Sequence, residues 1–175
     1  LSVSLEAVIS QVLVFGVGKQ DSLQRRDWWQ VGLRLGKQLD AMGVKEATIA
    51  LGDLDPGEKE PSRSVQAGAA LVEGIGMGMY RFDRYKSEQK EHQKPRFEKL
   101  TILTTTRAAR MLEEQVPVMF AVMSGTALTR DCANLPPNVA NPQFMADEAR
   151  KLEAAGLKVE VLDEKQLAKL GCNLM

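Results

Sequence analysis

The stretch Arg130–Pro142, RDCANLPPNVANP, holds three Pro and three Asn in thirteen residues. The segments on either side of it are both helical in pattern, so how it is read decides how the chain divides. Pro136 and Pro137 each remove a backbone donor and push the preceding residue out of the helical region. A helix arriving from the N-terminal side must therefore stop here. Asn141 and Pro142 then supply a capping side chain and a first helical residue for the next helix. The stretch reads as a firm boundary between two unequal pieces.

Upstream, the pattern alternates between strand and helix. QVLVFGVG (Gln11–Gly18) is a short apolar run ending in glycines, as in a buried strand. From Arg25 to Met42, the residues Trp28, Val31, Leu35, Leu39 and Met42 recur at helical spacing, and Gly43 suits a C-cap. EATIAL (Glu46–Leu51) predicts a second strand, and Gly52–Pro61 a polar loop. A helix starting near Ser62 or Ser64 carries Leu71, Ile75 and Met79 on one face. Its glycines at 68, 74, 76 and 78 each cost about 1 kcal/mol of helix propensity against Ala, a loss that close packing can offset. Lys86–Lys94 reads as an exposed charged loop, and LTILTTT (Leu100–Thr106) as a β-branched third strand. Arg107–Gln115 is helical in pattern, and Pro117 predicts the start of a separate helix running to Ala133.

Downstream, the helix opened by Asn141 turns Met145, Ala149 and Leu152 inward, places Asp147 to pair with Lys151, and closes at Gly156. LKVEVL (Leu157–Leu162) alternates as a half-buried strand, and another helix begins at Asp163. The order βαβ, α, β, α, breaker, αβα is that of a layered α/β protein. The second piece has one strand and no partner for it, so it reads as the opening of a domain.

Bulk properties exclude several functions. With 23 basic and 23 acidic residues in 175, no global field favours nucleic acid or an anionic membrane. No apolar run approaches the roughly 20 residues of a spanning helix, and the N-terminus lacks a signal pattern. The two cysteines, Cys132 and Cys172, read as reduced thiols of a cytoplasmic protein.

Five features invite a chemical reading. GVGK (Gly16–Lys19) lacks the upstream Gly and the Ser/Thr of a phosphate loop, so it reads as a turn at a strand end. GIGMGM (Gly74–Met79) has Met79 at the third glycine position of a dinucleotide fingerprint and lies inside a helical pattern, which favours packing. His92, the only histidine, sits in a charged loop and cannot build a His-rich zinc site alone. Ser124 has neither a nucleophile elbow nor a His partner. Tyr80–Lys99 interleaves seven Lys or Arg with four aromatics. That mixture can serve nucleic acid, but four carboxylates dilute it, and a core-and-surface role fits better.

Three longer stretches carry a resemblance. EGIGMGMYRFDRYKS (Glu73–Ser87), TRDCANLPPNVANPQFMADEARKL (Thr129–Leu152) and LKVEVLDEKQLAKLG (Leu157–Gly171) together resemble the leucyl aminopeptidase, or cytosol aminopeptidase, family. VLVFGVGK fits the family's N-terminal domain, while Leu135 and Cys132 depart modestly from its pattern. The resemblance implies a macro-like α/β N-terminal domain over residues 1–116, lacking its first strand. It implies a linking helix and Pro-rich breaker over 117–137, and the start of a truncated catalytic domain over 138–175. It also implies a hexameric, cytoplasmic parent enzyme that uses two divalent metal ions, manganese or zinc, to release N-terminal residues from peptides. The family's metal-ligand motifs, G-x-G-x-T-F-D-S-G-G and N-T-D-A-E-G-R, are absent from this chain. No catalytic, metal or cofactor-binding residue is therefore expected in it, and its expected role is structural and oligomer-forming. The alternative is a nucleic-acid- or nucleotide-binding module of macro-like fold.

Overall fold

The computed structural model describes residues 11–19, 22–51, 62–88 and 96–172. The chain divides into two compact units, Leu1–Ala127 and Leu128–Met175.

The first unit is built on a βαβ arrangement. Helix α1 spans Arg25–Met42. At its start the Asp27 carboxylate accepts from the Gln24 N–H at 2.9 Å. At its end Gly43 adopts the left-handed conformation, φ 62°, and its N–H returns to the Asp40 carbonyl. Strand β1, Glu46–Ala50, runs parallel to β2, Lys99–Leu103, with Glu46 opposite Lys99 and Ala50 opposite Leu103. Between them in sequence lies helix α2, Ser62–Gly78. Helix α3, Thr106–Asn134, follows β2.

Three apolar clusters hold this unit together. Leu35, Leu39 and Ile75 pack against Ala47, Ile49 and Leu100, which ties α1 and α2 to one face of the sheet. Val31, Leu51, Ala67 and Leu71 form a second cluster, against which Phe15, Val17 and Trp28 pack. The opposite side of α2 presents Val65, Ala69 and Val72 to Ala108, Leu112 and Met119 of α3. Helix α2 is thus covered on several sides, which is why its sequence is apolar nearly all round.

In the second unit, local chemistry shapes each helix. Helix α4, Pro142–Lys151, starts at Asn141, whose side chain accepts from the Phe144 N–H at 2.9 Å. A 3-10 turn, Leu152–Ala155, extends it, and Gly156 closes it at φ 84°. Helix α5, Glu164–Lys169, carries a reciprocal cap: Gln166 N–H donates to Asp163 Oδ1, and Asp163 N–H donates to Gln166 Oε1, both at 2.8 Å.

Five sequence expectations are corrected. Residues 11–19 form no strand: Val12 and Val14 are 76% and 90% exposed, although Phe15 and Val17 do turn toward the core. Leu157–Leu162 forms no strand either. One segment is a short apolar run and the other alternates, both as strands do, but a strand is a paired state, and neither finds a ladder partner among the described residues. The predicted helix start at Pro117 does not exist, because one helix runs from Thr106 to Asn134 with Pro117 inside it. Proline there removes the donor that would reach the Glu113 carbonyl. The turn around it, residues 113–118, is exposed, where water can take the place of the missing donor. Finally, Asp147 pairs with Arg150 at 2.7 Å and accepts from Gln143, while Lys151 pairs with Glu148. The i,i+3 partners win on this short exposed helix. Met145 and Leu152, expected inward, are exposed, and no residue of α4 is buried. Helix α3 does end where the breaker demands, and the Pro136 carbonyl accepts from Val139 and Ala140 in the turn that follows. The predicted loop Gly52–Pro61 and the histidine at 92 lie outside the described residues.

Candidate functional site

Among the described residues, the tightest backbone approach is the seam between α1 and α2. A Cβ on Gly32 would meet the Leu71 carbonyl oxygen at 2.5 Å, and one on Gly36 would overlap the backbone of Ile75. In return, a Cβ on Gly74 would overlap the Trp29 carbonyl, and one on Gly78 the Leu33 carbonyl. Two G-x-x-x-G pairs, Gly32/Gly36 and Gly74/Gly78, face each other in parallel register. Four-residue spacing keeps both glycines of a pair on one helix face, so the backbones meet directly. That approach is what the α2 glycines exchange for their lost propensity. Sequence reading singled out α2 and missed Gly32 and Gly36. The matching four-residue spacing in both helices was the signal that could have found them.

Ion pairs close both ends of the seam. Arg25 Nη2 lies 2.5 Å from Glu73 Oε2, with the Glu73 side chain 11% exposed and that of Arg25 55%. At the other end, Arg81 donates through Nε at 3.1 Å and Nη2 at 2.6 Å to the same Asp40 oxygen. Gly68 makes a second close approach, to the δ-carbons of Leu112, and Gly76 lies against Met123 Sδ. The GIGMGM motif is therefore a packing device at the C-terminal end of α2.

The remaining chemical candidates do not converge. Among the described residues, no group of three or more His, Cys, Asp or Glu could hold a metal ion. Cys132 and Cys172 are free thiols, the first half-buried and the second exposed. Ser124 lies exposed in the long helix α3. GVGK ends in a turn, with Gly18 at φ 93° and the Lys19 carbonyl accepting from Ser22. In the basic and aromatic segment, Arg84 sits 6.0 Å over the Tyr85 ring and Tyr85 meets Phe82 edge-on. Lys86 pairs with Asp83 at 2.6 Å, Arg81 with Asp40, and Phe97 packs into the core. In the described part of this segment, Arg81, Arg84, Lys86, Phe82, Tyr85 and Phe97 all have partners within the chain. Among the described residues, no helix is long and apolar enough to cross a membrane.

Comparison with known proteins places this seam in context. Residues 2–89 match the family model for the cytosol aminopeptidase family, N-terminal domain. The chain is 40% identical over 164 residues to a cytosol aminopeptidase of Pseudomonas aeruginosa, covering 92% of this chain and 32% of that protein. A probable cytosol aminopeptidase of Stutzerimonas stutzeri is 37% identical over the same length and the same shares. The chain thus spans about a third of the length of the curated relatives it matches. Among solved structures, a tomato leucine aminopeptidase mutant superimposes with a TM-score of 0.69 at 21% identity, over 86% of this chain and 29% of the other. The bottromycin maturation enzyme BotP, solved in complex with Mn, gives 0.64 at 24% identity, over 89% and 30%. These likenesses establish a mixed α/β fold shared with the leucine aminopeptidases. The family match covers α1, β1 and α2, including all four glycines of the seam, and on that ground the chain belongs to the cytosol aminopeptidase family.

Proposed function

We propose that this chain is the N-terminal part of a metal-dependent leucyl aminopeptidase, and that its own work is structural. The observation that carries this reading is the match to the family's N-terminal domain, continued by similarity across 92% of the chain to only 32% of a cytosol aminopeptidase. In the whole enzyme, two divalent ions, manganese or zinc, would activate a water and polarise the peptide carbonyl. The described residues supply no cluster that fits such ions. Their ligands belong in this proposal to the part of the family's chain that lies beyond the match. The parent would be a cytoplasmic homo-hexamer that releases N-terminal residues from peptides.

In this reading, residues 1–116 are a macro-like domain, 117–137 a link made of the later part of α3 and its breaker, and 138–175 the first part of the catalytic domain. The glycine seam and its terminal ion pairs give the first of these a closely packed helix pair. The chain carries no catalytic, metal or cofactor-binding residue. The nucleic-acid reading has less support, because Arg81, Arg84 and Lys86 already have partners within the chain.

The test is enzymatic. Purified and freed of host peptidases, the 175-residue chain should not hydrolyse a leucyl amide, with manganese, with zinc or without metal. Metal-dependent turnover by this chain would overturn the assignment of its role. Duplex DNA titrated at low and moderate salt should show no binding at the higher salt, and salt-resistant binding would favour the module reading instead.

A further inference from the structure

We draw no further inference here: the strongest candidate, the apolar flank of α3 formed by Met111, Val118 and Val122, is an exposed helix face, and nothing among the described residues shows what covers it.

Discussion

The two units contain helices of similar local quality and differ in almost everything else. In the second, α4 and α5 have well-formed caps, and left-handed glycines follow at 156 and 171. Yet neither helix buries a single residue. In the first, α1 buries Val31, Gly32, Leu35, Gly36 and Leu39, and α2 buries residues on most of its faces. Caps satisfy the orphan donors and acceptors at a helix end and contribute about 1 kcal/mol each. Burial of apolar surface supplies several times that per helix. The contrast teaches that local sequence chemistry is enough to place a helix but not to anchor it.

The sharpest way to break the comparison is to attack the seam. In Gly74→Val the new side chain must displace the backbone of Trp29 and Gly32, which cannot rotate away as a side chain can. Overpacking against backbone should cost about 3 kcal/mol or more and remove cooperative unfolding of the first unit. Urea melts followed by tryptophan fluorescence report on it directly, since Trp28 and Trp29 both lie in α1. A melt unchanged from the parent chain would mean that α1 and α2 do not approach as closely as described.

Leu112→Ala should cost somewhat less, about 2–4 kcal/mol, by opening a cavity where α3 packs on α2. The same melt measures it. A loss under about 0.5 kcal/mol would show that α3 contributes little to the core, and the first unit would then resemble the second.

Asn141→Ala tests the opposite limb. Loss of the cap should weaken α4 by about 1 kcal/mol. Because α4 buries no residue, the melt of the first unit should not move. Amide exchange at Phe144 and Met145 should accelerate while exchange in α1 stays constant. A shift in both would show that the units unfold together.

The smallest expected change has the opposite sign. Gly125→Ala places a methyl where nothing lies within 4 Å, inside α3. It should stabilise the helix by up to about 1 kcal/mol through propensity alone. Set beside Gly74→Val, it separates a glycine kept for backbone contact from one with no steric reason. A destabilised Gly125→Ala chain would indicate a neighbour at that site.

Much of this was legible from residue order. The bounds of α1, its Gly43 cap, the start of α4 at Asn141 and Pro142, and the stop at the Pro pair all follow from chemistry within a few residues of each position. The resemblance to the aminopeptidase family was legible as well, because it rests on linear motifs. What failed depends on surroundings. QVLVFGVG and LKVEVL have strand-like patterns, but a strand also needs a neighbour, and the pattern says nothing about whether one is present. Pro117 is a start signal in isolation, yet an exposed helix surface tolerates it in mid-run.

By itself, then, the sequence determined the bounds of α1, the stop of α3 and the starts of α4 and α5, because caps, prolines and left-handed glycines act on the backbone next to them. Only the tertiary structure decided which glycines matter. Gly32, Gly36, Gly74, Gly78 and Gly125 all lie inside helices, each at a cost in propensity, and propensity does not rank them. Four are held at their positions by a second helix whose carbonyls occupy the space a Cβ would need, and the fifth faces open space. That difference arises between segments some forty residues apart, where the physics is steric exclusion across an interface and not conformational preference along the chain.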